Sequence, residues 1–385
     1  MDQNATTTPT KNRFDLHELA GAFGDLGTLI PFVAAYISIL KMDPSGILLA
    51  FGSTLIIVGW IYRTPFPVQP MKAIGAAAIT QTSQMAALTS STVMGAGVVT
   101  GLLWLLLSAT GLAHRLARWV PRPALVGVVM GLGFSFMLEG IRMMAQSPWT
   151  GAALLVLTLV LLARSRFPAM VVLLTVGAVI ALINQPTLAH ELAAIRFSPH
   201  LPAFSWPTLT WNDLWVGAVF LALPQLPLTF GNALLSIKDE NNRLFPDRPV
   251  TEKRVAFSTG VMNLWSSAIG GIPMCHGAGG MAGHVRFGAH TGGSSIMLGV
   301  VLLATGLFLG DSVALLFKLF PPAVLGVILF LAGVQLALGG KDGGHDKADR
   351  LVVLTTAAFA IWNVGIAVLF GIFVYHASKR GWIRL

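Results

Sequence analysis

Apolar runs long enough to cross a bilayer follow one another from Leu16 to the end of this chain, separated only by short polar stretches. A helix needs roughly 20 apolar residues to cross a hydrocarbon core of ~30 Å. In that solvent each backbone N–H and C=O must find its partner inside the protein, which leaves helices as the natural way to span. Spans are read over 16–39, 45–61, 70–88, 92–112, 123–144, 151–163, 168–183, 213–236, 254–270, 275–289, 294–309, 321–339, 350–362 and 363–378. The expected fold class is an all-α polytopic membrane protein with 14 transmembrane segments. Charge content agrees, because 11% of the 385 residues are charged, where a soluble domain carries roughly a quarter.

The formal net charge of +9 would suit nucleic acid, yet Lys and Arg sit in short clusters between apolar runs. Such clusters act as topology signals and form no continuous basic face, so no nucleic-acid partner is expected. If the N-terminus is placed inside and the spans alternate, 20 basic residues fall on the inner side. Only Lys41, Arg142, Arg196 and Lys318 fall outside, and Lys72 is left within the membrane. A wrong span count would scramble that asymmetry. Both termini are accordingly expected in the cytoplasm, and the chain in the inner (plasma) membrane among its lipids. Residues 1–15, polar and Thr-rich, read as a disordered tail without a cleavable signal, and 379–385 as a second cytoplasmic tail. A single cysteine, Cys275, excludes an internal disulfide.

The chain also repeats itself. Gly24-Asp25-Leu26-Gly27-Thr28-Leu29 matches Pro224-Gln225-Leu226-Pro227-Leu228-Thr229, Gln69-Pro70-Met71-Lys72 matches Ile272-Pro273-Met274-Cys275, and Pro123-Ala124-Leu125-Val126-Gly127-Val128 matches Pro322-Ala323-Val324-Leu325-Gly326-Val327. The offsets are 200, 203 and 199, in order along the chain. The expected layout is a first repeat over 16–183, an external linker over 184–212 and a second repeat over 213–378. Seven spans per half is an odd number, so the second copy enters from the opposite side and the repeats are inverted. The linker is Pro-rich and contains Trp206 and Trp211, which favour the membrane surface.

Two spans are poor apolar helices and stand at matching places in the repeats: segment 3, opened by Pro65-Phe66-Pro67-Val68-Gln69-Pro70, and segment 10, opened by Gly270-Gly271-Ile272-Pro273. Each reads as extended chain followed by a half-helix that starts inside the membrane. Such starts carry free N–H groups and roughly half a positive charge, so two facing one another make an anion site. With the Lys72 ammonium the sum comes to about +2, which suits a divalent tetrahedral oxyanion. Gln225, Thr229 and Asn232 recur at spacings of three and four on span eight, where neutral donors would bind a dehydrated anion without repelling it.

At these residues the chain resembles a known family. Gly24-Asp25-Leu26-Gly27-Thr28-Leu29-Ile30-Pro31, Pro67-Val68-Gln69-Pro70-Met71-Lys72-Ala73, Leu223-Pro224-Gln225-Leu226-Pro227-Leu228-Thr229-Phe230-Gly231-Asn232, and the run from Cys275-His276-Gly277-Ala278-Gly279-Gly280 through Arg286-Phe287-Gly288 to Thr291-Gly292-Gly293 look like signature segments of molybdate transporters related to sulfate permeases. The resemblance implies seven-plus-seven inverted repeats, a core domain moving against a gate domain, and substrate held between half-helices 3 and 10. It implies transport of molybdate or a sulfate-like oxyanion; uptake of a divalent anion against a negative interior needs a driving ion, for which protons are expected, and a homodimer is left open. No counterpart of the cytoplasmic regulatory domain of typical sulfate permeases is expected after the last span.

The expected substrate-binding residues are Thr28, Gln69, Met71, Lys72, Ala73, Gln225, Thr229, Cys275, His276 and Gly277, with Asp25 and Glu139 as proton-coupling candidates. Each has a plainer reading. Lys72 could pair with Asp25, since buried charges in membranes are rare unless paired. Glu139 could pair with Arg142 at the interface, and the span-eight polar groups could bond between helices. Cys275, His276, His284 and His290 are zinc-ligand types, but their spacing fits no metal pattern, so no metal or cofactor is expected. Arg286 suits the C-terminal end of its helix. Besides a carrier, the same architecture would serve a passive anion channel, and the Cys/His set a membrane metalloenzyme. No phosphate-binding loop of an ATPase is present.

Overall fold

The computed structural model describes residues 11–72, 74–75, 88–163, 169–202, 206–338 and 346–382. Its main helices fall where the apolar runs lie. They are α1 (Leu16–Ala22), α2 (Leu26–Ile39), α3 (Pro44–Tyr62), α4 (Ser90–Ala109), α5 (Arg122–Met144), α6 (Pro148–Ala163) and α7 (Ala169–Asn184) in the first half. The second half holds α8 (Glu252–Ala268), α9 (Ala278–Arg286), α10 (Gly293–Phe308), α11 (Pro322–Leu338), α12 (Lys347–Trp362) and α13 (Val364–Lys379). Two short strands, β1 (Gln69–Pro70) and β2 (Met274–Cys275), complete the frame.

By length and apolar composition four of the described helices cross a bilayer on their own: Leu16–Ile37, Pro44–Tyr62, Ser90–Ala109 and Arg122–Met144. Up to six do so if each of two sharply bent pairs is one span. The molecule is thus an all-α polytopic membrane protein with fewer clear spans than the 14 read from the sequence. Part of the difference has a physical reason, since α6 and α11 are apolar but shorter than 18 residues and α9 has only nine, while most of expected segment 3 (residues 73 and 76–87) lies outside the described residues.

Local chemistry sets the helix starts. Asp15 accepts from the backbone N–H groups of His17 and Glu18 at 3.0 Å, Asp43 from that of Ser45 at 2.9 Å just ahead of Pro44, and Thr89 and Thr92 form a reciprocal capping box. Two spans are irregular at the places the repeat aligns. A 3₁₀ turn, Phe23–Asp25, separates α1 from α2. In the 211–244 segment, π-helical turns Gly217–Ala222 and Thr229–Ser236 flank Leu223–Leu228, which contains Pro224 and Pro227. Proline lacks the N–H that an α-helical turn requires, so the ladder around it is disturbed.

Packing pairs elements of one half with those of the other. α3 lies along α10, α4 along α8 and α5 along α11. α5, α11, α12 and α13, with α6 and α7 against them, form one packed group; α3, α4, α8, α10 and the start of 211–244 form a second. The short helix α9 lies between them, touching α5 and α11 on one side and the Phe23–Asp25 turn on the other. After α7 the chain turns by 111° into Thr187–Ala193. The N–H groups of Ser198 and His200 then donate to the carbonyls of Phe308 and Leu307, tying the linker to the end of α10.

Candidate functional site

The extended stretches expected before the two half-helices meet each other. β1 and β2 pair antiparallel, Gln69 opposite Cys275 and Pro70 opposite Met274, and the Met71 N–H donates to the Pro273 carbonyl at 2.9 Å. Antiparallel pairing brings the two chains to the crossing from opposite directions. The outer edge of β2 is closed by Asn263, whose Oδ1 accepts from Met274 N at 2.9 Å while its Nδ2 donates to Met274 O at 2.7 Å. Replacing Asn263 with Leu would leave both backbone groups of Met274 buried without those partners. We expect a loss of about 2 kcal/mol or more, read as a lower midpoint in thermal unfolding of the detergent-solubilised protein.

Around this crossing the polar residues of both halves assemble. The Gln69 Nε2 donates to Asp25 Oδ1 at 2.6 Å and to Thr28 Oγ1 at 2.9 Å, and the Thr28 hydroxyl sits in hydrogen-bonding contact with the same Asp25 oxygen. Asp25, Thr28 and Gln69 are all buried. Across the crossing, the Ile74 N–H donates to Gln225 Oε1 at 3.3 Å, and Gln225 Nε2 donates to Thr229 Oγ1 at 2.9 Å. Thus an element of span eight reaches the start of segment 3. Asn232 is buried on the same stretch, and its Oδ1 has no hydrogen-bond partner among the described residues.

Gly277 caps α9 and three glycines follow within its first turns, which lets neighbouring groups approach the helix backbone. A Cβ on Gly277 would overlap the Gln69 amide oxygen, and one on Gly280 would lie 2.6 Å from Asp25 Oδ2. One on Gly279 would overlap the Phe136 ring. The Asp25 carboxylate therefore lies against the amino end of α9, where a helix favours negative charge.

Among the described residues the Lys72 ammonium nitrogen makes no hydrogen bond; it is buried and stands 3.6 Å from the centre of the Phe136 ring. Beside it opens a cavity of about 350 Å³, lined by Thr28, Phe32, Lys72, Ser135, Phe136 and Glu139 among others. Thr28 and Phe32 come from α2, whereas Ser135, Phe136 and Glu139 come from α5 and Leu329 from α11, so the cavity lies between α2 and the α5–α11 pair. Glu139 also accepts from Arg142 Nη1 at 3.3 Å and is half-exposed, which joins its two readings in one place.

Other expected residues stand differently. His276 precedes α9 and is not in its first turn, because the helix begins at Ala278. Its ring is buried, with Nδ1 donating to the Pro67 carbonyl at 2.8 Å and Nε2 2.7 Å from Ser258 Oγ, so it ties segment 10 to segment 3 and to α8. Cys275 and Met71 are buried at the crossing through their backbones. Ala73 lies outside the described residues. His284 donates from Nδ1 to the Gly21 carbonyl, and no group of three His, Cys, Asp or Glu side chains suited to a metal is found among the described residues. Phe136, Ser135 and Asn263 escaped the sequence reading. Of these only Asn263, an amide within an apolar span, carried a signal that could have found it.

Comparisons with known proteins agree with this arrangement. A family profile described as "Molybdate transporter of MFS superfamily" matches residues 17–136 and 217–336, two stretches of equal length set 200 residues apart. Molybdate transporter 2 of Arabidopsis thaliana is 32% identical over 403 residues, covering 92% of this chain and 85% of that protein. Molybdate transporter 1 of Chlamydomonas reinhardtii is 27% identical, covering 92% and 90%. Among solved structures, the transmembrane domain of a cyanobacterial bicarbonate transporter, BicA, has a TM-score of 0.57 at 18% identity, covering 91% of this chain and 96% of that one. Murine Solute Carrier 26 family member A9, an anion transporter in its inward-facing state, has a TM-score of 0.61 at 13% identity, covering 98% and 70%. Profile, relatives and fold converge, and the chain belongs to the molybdate transporter family, with the fold of the Solute Carrier 26 and BicA transporters.

Proposed function

We propose that this protein is a secondary active transporter that imports molybdate, or an oxyanion of the same shape and charge, by alternating access. The observation that carries the reading is the Lys72 ammonium: a buried cation that makes no hydrogen bond among the described residues, on the wall of a cavity between α2 and the α5–α11 pair. Thr28 lines the cavity with it, and Gln69, Gln225 and Thr229 supply neutral donors close by; the amino end of α9 adds its dipole. The relatives' names supply molybdate as the substrate, and geometry alone would admit sulfate equally.

Fourteen segments in two inverted repeats are the architecture in this reading. The twice-matched family profile, the antiparallel strand pair and the reciprocal packing of α3 on α10 and α4 on α8 support it. The α5–α7 and α11–α13 group acts as a gate against a core formed by the rest. Both termini face the cytoplasm of a plasma membrane, as the basic clusters favour.

Uptake is coupled to protons, with Asp25 as the carrier and Glu139 at the mouth of the cavity. Uptake of radiolabelled molybdate into proteoliposomes tests the function directly. Wild type is expected to accumulate molybdate when the outside is made acid, whereas no uptake with or without a gradient removes the proposal. In Asp25→Asn the acceptor oxygen for Gln69 and Thr28 is kept but the titrating group is gone. Its uptake should continue yet no longer respond to the proton gradient, and an undiminished response would discharge Asp25 from that role.

A further inference from the structure

The end of α3 bears a second pocket that the transport reading leaves without a task. It encloses about 470 Å³ and is lined by Tyr62, Arg63, Asp247, Arg248 and Arg254, among others. Arg63 ends α3 in a left-handed conformation (φ 56°), and its carbonyl accepts from Arg248 Nη1. That bond anchors one arm of the Arg248 guanidinium. The other, Nη2, is buried and has no hydrogen-bond partner among the described residues. The Arg254 guanidinium stands 5.5 Å from the centre of the Tyr62 ring. Among the lining residues three guanidinium groups face a single carboxylate, that of Asp247.

Such an arrangement is costly as it stands. Burial, and then the neighbouring Arg63 charge, push the Arg248 pKa below its usual value, with Asp247 opposing. A buried donor of a charged group without an acceptor is among the more expensive omissions in a folded protein. A guanidinium fixed at one nitrogen and open at the next presents a planar fork that matches phosphate-like oxygens. The pocket also lies within reach of the crossing. The Tyr62 hydroxyl is 2.9 Å from Ser258 Oγ, which is 2.7 Å from His276 Nε2.

We propose that this pocket is a second anion site, which takes a phosphate-type tetrahedral group on Arg248 with Arg63 and Arg254 around it. The group is either a free inorganic anion or the phosphate of a membrane lipid. The site is separate from the Lys72 cavity and shares no lining residue with it.

The test uses the full chain with Lys72→Ala, which disables the other site, and with Arg248→Gln or Arg254→Gln added. Two probes are applied: radiolabelled inorganic phosphate at equilibrium in detergent, and phosphatidylglycerol retained from nanodiscs, counted by native mass spectrometry. Phosphate bound by the Lys72→Ala protein and weakened about tenfold or more by each arginine change assigns a free anion. Phosphatidylglycerol held by that protein and lost from both arginine variants, without phosphate binding, assigns a lipid. Arg254→Gln guards against misfolding, since it leaves the Arg63 carbonyl bonded. If it binds both probes as the parent does, or if the parent binds neither, the proposal is overturned.

Discussion

Replacing Lys72 with Ala is expected to weaken molybdate binding by a factor on the order of 100 and to reduce uptake at limiting substrate accordingly, because a unit charge near 4 Å from an anion is worth about 4 kcal/mol at an effective dielectric of ~20, part of which its desolvation offsets. Among the described residues the ammonium makes no hydrogen bond, and it touches the Phe136 face, so its loss removes charge while leaving the Asp25, Thr28 and Gln69 cluster bonded as before. The affected quantity should be substrate affinity, and the amount of folded protein should stay close to wild type. Lys72→Arg keeps the charge but brings a wider head against Phe136, and should fall between the two. Equilibrium binding of radiolabelled molybdate, competed with sulfate, measures this. Equal affinity in wild type and Lys72→Ala would move the substrate site elsewhere.

Gly24→Val should have the opposite profile, abolishing the fold before any question of transport arises. A Cβ at Gly24 would overlap the Gly283 carbonyl and come within 2.7 Å of His284 N, and a Cβ at Gly283 would meet the Gly24 carbonyl in return. These are backbone atoms on both sides, so no side chain can swing away. Overpacking a well-fitted contact costs about 1–3 kcal/mol and more where nothing yields. Here the contact also fixes α9 against the turn that carries Asp25. Gly111→Ala is the control: it has nothing within 4 Å of the added carbon, and only its left-handed backbone (φ 68°) opposes the change at about 1 kcal/mol. Size-exclusion profiles of the two variants should differ, with Gly24→Val aggregated and Gly111→Ala near wild type. A monodisperse Gly24→Val protein of normal thermal midpoint would contradict the packing described.

Much of this organisation was legible beforehand. The apolar runs gave the helices their places, since period and length act locally. The repeats at Gly24 and Pro224, and at Gln69 and Ile272, marked the two irregular regions that the fold brings together. Lys72, Thr28, Gln69, Gln225 and Thr229 all stand near the crossing. What remained hidden depends on contacts distant in sequence. Nothing around Phe136 distinguishes it from other aromatic residues of its span, yet it supplies the ring under the ammonium. His276 looked like a ligand because of its residue type, and its two nitrogens are engaged by Pro67 and Ser258. The Lys72–Asp25 pair, plausible from charge alone, is not closed by a hydrogen bond among the described residues: the carboxylate bonds Gln69 and Thr28 while the ammonium lies over the Phe136 ring.

The junction of β1 and β2 is made by main-chain groups, and Asn263 grips main-chain atoms as well. Residues 69, 72 and 275 can therefore be exchanged in evolution while the lattice of amides beneath them persists. A scaffold of this kind lets selectivity drift from one anion to another by trading a few side chains, without the chain having to reinvent how its halves are joined.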